Sequence, residues 1–227
     1  MWQLNQKQLN RILFPLADLT KKEVRVLAEK FKLPVLNIKE SQEICFVPNS
    51  LSEFLSKNLK TRPGPIIEQK TKKIIGQHKG LPFYTIGQRK GIEIVSTANP
   101  AFVRQRRTTA GKPFYVSEKD LKKNSLIITQ DENDLMRKEL IAKDVNWVSV
   151  KPPKFPLKIM AKIRYGFLHK AVPAILYNIK RTKKVRVVFL KRQRAITPGQ
   201  SVVFYSPAEV STKAGKSQEP LGGGVIV

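Results

Sequence analysis

The sequence predicts an α+β protein: a short helical N-terminal segment, a mixed central region and six short antiparallel strands at the C-terminal end. Three observations carry this. Thr20-Lys21-Lys22-Glu23 is a capping box, followed by Val24, Leu27, Ala28 and Phe31 at helical spacing. Gly64, Gly76, Gly80, Gly87 and Gly91 punctuate the middle of the chain and keep its elements short. Further on, Leu157, Ile159, Ala161 and Ile163 alternate with Lys158, Met160, Lys162 and Arg164, the period of a strand with one buried face and one mostly basic face.

In the first segment the Thr20 hydroxyl accepts from the third helical amide while Glu23 reaches back to the Thr20 amide. Lys30 and Lys32 suit the negative end of the helix dipole, and Pro34 stops the helix. A shorter helix is expected over 7–13. One apolar stripe per helix cannot enclose a core, so the pair reads as part of something larger. A further helix is expected over 51–59, and Thr61-Arg62-Pro63-Gly64-Pro65 then forces a turn. Residues 95–113, with Arg104, Arg106 and Arg107 among small and polar residues, read as an exposed basic loop. Strands are expected over 144–150, 157–164, 172–179, 185–190, 201–205 and 225–227, forming a small barrel or sandwich. Residues 206–220 lack periodicity and read as a mobile polar loop. No helix follows Gly222-Gly223-Gly224, so a tight turn or a close strand approach is expected there rather than a phosphate cradle.

Charge is the strongest bulk signal, with 43 Lys and Arg against 17 Asp and Glu, net +26. It is uneven: net +3 over 1–44, +9 over 45–137 and +14 over 138–227. Such a chain attracts polyanions, nucleic acid foremost and anionic membrane second. The longest clearly apolar run, 171–177, is far below the ~20 residues of a membrane span. No basic amphipathic helix of suitable length favours a membrane surface. One cysteine and no secretory pattern fit a reducing, cytoplasmic setting.

The chemistry-bearing residues are few. Cys45 is the only cysteine, and is either a small buried apolar residue or a reactive sulfur. His78 and His169 are far apart, so no metal-ligand spacing is present. The run 76–91 holds His78, Phe83, Tyr84, Gln88 and Arg89 among glycines. It either offers amides and guanidinium to phosphate with an aromatic ring for a base, or is a hairpin whose glycines fit turns. The run 193–200 joins two strands, and Arg192, Arg194 and Gln200 either meet RNA or line a solvated turn.

Four runs taken together are specific. They are Ser41-Gln42-Glu43-Ile44-Cys45-Phe46, the stretch Gly80-Leu81-Pro82-Phe83-Tyr84-Thr85-Ile86-Gly87-Gln88-Arg89-Lys90-Gly91, then Ala195-Ile196-Thr197-Pro198-Gly199-Gln200, and Leu221-Gly222-Gly223-Gly224. In this order they resemble the tRNA-specific 2-thiouridylases of the MnmA type, which place sulfur on C2 of the wobble uridine. The resemblance implies a remnant of an N-terminal ATP-pyrophosphatase domain over 1–46, ending at Cys45, a central domain over 47–137 and a tRNA-binding six-stranded antiparallel β-barrel over 138–227. The family's Ser-Gly-Gly-Val-Asp-Ser-Ser nucleotide loop and its first catalytic cysteine do not occur in this sequence. The expectation is therefore an N-terminally truncated chain, inactive alone, that binds no cofactor itself although the family reaction uses ATP with Mg.

By the same resemblance Cys45 is the persulfide cysteine, and Arg164, Tyr165, Gln200 and Arg194 are tRNA contacts. His78, Tyr84, Gln88 and Arg89 form a central-domain motif without an assigned role. The implied partners are tRNA, a persulfide sulfur donor protein and a separate ATP-pyrophosphatase domain, with no membrane. The chain departs from the family pattern at 95–113, which is longer, and at 206–220, where the family has a tight hairpin. The alternative is a non-catalytic basic RNA-binding module that has lost the chemistry.

Overall fold

The computed structural model describes residues 2–34, 47, 51–94, 112–149, 152–164, 170–212 and 215–227. The expected basic loop falls almost wholly in 95–111, outside the described residues. The chain divides into two compact units. One comprises Met1–Gln42, Lys138–Lys191 and Pro198–Val227, the other Glu43–Arg137 and Arg192–Thr197.

Among the described residues there are three α-helices: α1 (Gln6–Leu9), α2 (Lys21–Lys30) and α3 (Leu51–Asn58). In α2 the capping box forms as expected, with the Thr20 amide donating to Glu23 Oε2 at 2.6 Å and the Glu23 amide donating to Thr20 Oγ1 at 3.4 Å. These bonds hold the Glu23 carboxyl below its ordinary pKa. α1 is a single turn rather than a helix over 7–13. Asn5 and Gln8 cap it reciprocally, and the chain then tightens into turns donated from Arg11 and Ile12. No residue of α2 is buried, and Phe31 is 65% exposed, so its apolar stripe forms no core.

The second unit is built on a four-stranded sheet of β1 (Gly64–Glu68), β2 (Ile74–His78), β3 (Tyr115–Asp120) and β4 (Ser125–Thr129) in the order β2-β1-β4-β3. β1 is antiparallel to β2 and parallel to β4, and β3 and β4 form a hairpin. Ile66, Leu81, Tyr84, Val116, Leu126 and Ile128 are its buried core, with Ile75, Phe83, Ile92, Ile94 and Phe114 packed against them. Burying each large apolar side chain stabilises by roughly 1.5–3 kcal/mol relative to exposure.

β5 (Met136–Trp147), β6 (Leu157–Lys162), β7 (Val172–Asn178), β8 (Val185–Arg194), β9 (Ser201–Thr212) and β10 (Gly215–Ile226) close into a barrel in the order β10-β5-β8-β7-β6-β9, all in the first unit except the start of β5 and the end of β8. Closure decides between the two architectures left open by the strand pattern, because it leaves no sheet edge. Ile159 and Ala161, Ala174 and Leu176, Val185, Val187 and Phe189, and Val202 and Phe204 point inward and are buried. Lys158 and Arg186, on the opposite face of their strands, are exposed.

Two strand expectations need correction. β5 begins at Met136 rather than 144, with Leu140 and Ala142 inward among Arg137, Lys138, Glu139 and Lys143. The described residues of this stretch, 206–212 and 215–220, are not a loop. They continue β9 and β10 as a two-stranded ribbon, with Glu209 opposite Gln218, Val210 opposite Ser217 and Thr212 opposite Gly215. A ribbon with no core to cover needs no apolar alternation, so its pairing leaves no periodic mark in the sequence.

Gly223 explains part of the glycine run, and the close strand approach expected there is present. A Cβ on Gly223 would lie 2.7 Å from the Val202 carbonyl oxygen and 2.8 Å from the Trp2 indole. The bare backbone therefore admits the indole against the barrel wall. Asn146 Nδ2 ties the same segment down by donating to the Trp2 and Leu4 carbonyls at 2.7 and 3.1 Å. Gln6 Nε2 adds a bond to the Val148 carbonyl at 2.6 Å.

Candidate functional site

Cys45 and Tyr165 lie outside the described residues; Val47, two positions past the thiol, is buried. Of the other barrel candidates, Arg164 is half-buried just past the end of β6, and Gln200 is exposed on the turn before β9. That turn is pinned to β10, since the Gly199 amide donates to the Ile226 carbonyl and the Ile226 amide donates to the Gln200 carbonyl, both at 2.8 Å.

Arg194 belongs to the other unit. Its Nε donates to Glu132 Oε2 at 3.0 Å, and its guanidinium lies over the Tyr115 ring, 5.1 Å from the centroid. The Ala195 amide donates to the Leu135 carbonyl at 2.8 Å, which fixes this segment on the central domain. The Tyr115 hydroxyl also bonds Glu132, so the Glu132 carboxyl is held below its ordinary pKa, first by that bond and then by Arg194. The same bond raises the Tyr115 phenol. The charge of Arg89, an exposed residue, bears on both groups. Folding thus brings together Arg89 and Arg194, which are remote in sequence.

The remaining motif residues serve structure. His78 is 1% exposed, and its Nε2 donates to the Asn124 carbonyl at 2.9 Å. The bond passes over Gly64, where a Cβ would sit 2.1 Å from the Asn124 oxygen and 2.7 Å from His78 Nε2. His78 meets Tyr84 edge to face with centroids 6.0 Å apart. Tyr84 is only 4% exposed, and burial raises its phenol pKa. Its ring is therefore closed to a nucleic-acid base, which corrects the stacking expectation at this position. Lys119 Nζ donates to the Tyr84 carbonyl at 3.0 Å, and burial lowers the ammonium's pKa. Gln88 closes its own turn, accepting from the Thr85 amide at 2.9 Å and donating to the Lys90 carbonyl at 2.8 Å. The run 80–91 is thus mainly a folded turn, with Arg89 left facing solvent.

One feature has no linear signature. A groove of about 1000 Å³ opens on the central domain. Its walls come from three separate stretches: the β1–β2 turn with Lys70 and Lys72, the approach to β3 with Lys112 and Tyr115, and residues 129–134 after β4. No one stretch carries a recognisable motif, so sequence reading had nothing to find there.

The barrel wall carries exposed basic groups beside apolar and aromatic cross-strand partners. Lys158 stands opposite Ile175, which stands opposite Val188. Arg186 faces Tyr177 across the same strands and covers its ring at 5.2 Å. Among the described residues no group of three or more His, Cys, Asp or Glu is placed to hold a metal, and no helix is long and apolar enough to cross a membrane.

Three family models match the chain in succession. A tRNA methyl transferase HUP domain matches residues 1–49, a tRNA methyl transferase PRC-barrel domain residues 52–130, and an aminomethyltransferase beta-barrel domain residues 137–226. The chain is 41% identical to a tRNA-specific 2-thiouridylase MnmA of Halothermothrix orenii, over 100% of its own length and 56% of the relative's. It is 41% identical to tRNA-specific 2-thiouridylase MnmA 2 of Aliarcobacter butzleri, over 89% of its own length and 54% of the relative's. It is 38% identical to the tRNA-specific 2-thiouridylase MnmA of Acetivibrio thermocellus, over 100% of its own length and 56% of the relative's. The chain spans about half the length of these curated relatives.

Proposed function

The chain belongs to the tRNA-specific 2-thiouridylase (MnmA) family, and from that premise we propose that it serves tRNA 2-thiolation at the wobble uridine, holding tRNA and carrying the sulfur on Cys45. The observation that carries this is the ordered succession of three domain matches, which leaves out only residues 50, 51, 131–136 and 227. The basic barrel wall supports the tRNA half of the reading, since phosphate neutralisation supplies most sequence-independent affinity. The domain descriptions name methyl transfer, but the solitary Cys45 in Ser-Gln-Glu-Ile-Cys-Phe favours sulfur as the transferred group.

A domain supplied in addition to these residues would hold ATP, which would supply adenylation of the uridine O2 so that this oxygen can depart with AMP. Cys45 holds the incoming sulfur as a persulfide loaded by a donor protein. Its terminal sulfur bonds to uridine C2 as the C2–O2 bond breaks. A second thiol then breaks the S–S bond by disulfide formation, and it comes from outside this chain because Cys45 is the only cysteine here. A thiolate is the effective nucleophile and the form a donor protein would load.

The experiment combines the chain with an ATP-pyrophosphatase domain, a persulfide donor and tRNA, and measures 2-thiouridine by mass. The expected result is thiolation with the native chain and none with Cys45→Ser. Undiminished thiolation by the serine variant rejects the sulfur-carrying role, and a mass gain of a methyl group rejects the sulfur chemistry itself.

A second reading, a non-catalytic RNA-binding module, is favoured by the net +14 over 138–227. It predicts salt-sensitive tRNA binding with no thiolation under any complementation and no response to Cys45→Ser.

A further inference from the structure

We propose that the groove on the central domain holds a nucleotide of the bound tRNA, its backbone phosphate on Lys70, Lys72 and Lys112 and its base edge on the amides of Gln69 and Asn133. The inference rests on the reading of the chain as a tRNA-binding protein and adds a second contact region distinct from the barrel.

Bonding capacity is unevenly distributed over the groove wall. Its four carboxylates are engaged by the protein. Glu68 Oε2 accepts from the Thr71 hydroxyl at 2.6 Å, and Asp134 Oδ2 accepts from the Thr129 hydroxyl at 2.6 Å. Asp131 Oδ1 caps the Asn133 amide at 2.9 Å. Glu132 accepts from both Arg194 and Tyr115, with Arg89 in the same field. The three lysines are different: each is exposed, and none has an ion pair among the described residues. The lining holds three lysines and four carboxylates and is rich in side-chain amides, while Arg89 and Arg194 act on Glu132 from beside it and offset its charge. An acceptor-only ligand would use the lysines and the amide NH2 groups but leave the amide carbonyls without a donor. A nucleotide uses both, because ammonium groups meet phosphate as point charges while side-chain amides pair with base edges.

The groove is also framed firmly. The Gln69 backbone N–H donates to the Ile128 carbonyl at 2.8 Å, leaving its side-chain amide to the groove, and Gln130 Nε2 donates to the Lys112 carbonyl at 2.9 Å. Two of its three walls are thereby fastened to β4 and its exit, so the lysines project from a defined frame.

The test uses the full chain, labelled tRNA and a series of salt concentrations. A triple variant, Lys70→Gln, Lys72→Gln and Lys112→Gln, is compared with Lys60→Gln, Lys122→Gln and Lys123→Gln. The second set removes the same charge at the opposite end of the sheet. The groove set is expected to weaken binding about tenfold and to flatten the slope of log K against log salt by about 2, as losing two to three phosphate contacts requires. The control set leaves the slope unchanged. Gln69→Ala with Asn133→Ala is expected to weaken binding severalfold with no change of slope, since amides release no counterions.

Equal effects from the groove and control sets overturn the proposal and leave the parent reading intact. A native chain that does not bind tRNA at all sinks both. If inorganic phosphate shifts the groove's amide resonances while the groove variants bind tRNA normally, the groove belongs to a small anion and the proposal fails.

Discussion

At the scale of single residues, one glycine and one glutamate show how the central domain is held together. Gly64 has no side chain because His78 must reach over it to the Asn124 carbonyl. Gly64→Ala is expected to destabilise the central domain by ~1–3 kcal/mol, the usual cost of overpacking, in urea titrations. An unchanged midpoint would show that the two backbones can part without cost. Glu132 gives a pH signature. Its carboxyl is held below the ordinary 4.5, so the folded state stays ionised where the unfolded chain has begun to bind a proton. The stability it contributes is fully present above 4.5 and is lost as pH falls through the depressed folded value. Glu132→Gln should therefore make acid unfolding of the central domain less steep below that point, followed by circular dichroism. His78 and Tyr84 were legible as notable residues, but their burial was not, because burial depends on what the fold lays over them.

At the scale of elements, the capping box at Thr20 was readable because helix caps are local, made by residues three apart. The ribbon after β9 was not, because hydrogen bonds between two exposed strands place no demand on side-chain type. Barrel register is complete without it: Phe204 already pairs with Gly222, and Ser201 with Val225. Replacing 207–219 by a short turn is thus expected to leave the barrel's melting temperature within a few degrees, since loop length costs little. A loss of cooperativity on calorimetry would show that the ribbon is part of the barrel's support. At the other end of β10, Gly223→Ala should push the Trp2 indole off the wall. Tryptophan emission is expected to shift to the red, with a loss of ~1–3 kcal/mol. The same emission in both proteins would mean that the indole does not depend on the gap.

At the scale of the whole molecule, the net charge of +26 is the property from which an RNA partner was inferred, and charge needs no fold to be read. For the native chain, log affinity for tRNA is expected to fall linearly with log salt, with a slope steeper than about −3. Binding indifferent to salt would remove the electrostatic basis of the proposed function.

The linear order of residues was enough for the element types, the six strands with their inward apolar faces, the basic excess and the four runs that mark the family. All of these are local or additive, being set by neighbours a few positions apart or by sums over the chain. Barrel closure, the burial of Tyr84, the assignment of Arg194 to Glu132 and Tyr115, and the lysine groove needed the folded chain. Each depends on contacts between segments tens of residues apart. Such contacts are chosen by packing and hydrogen-bond satisfaction in three dimensions, and no short window of sequence records them.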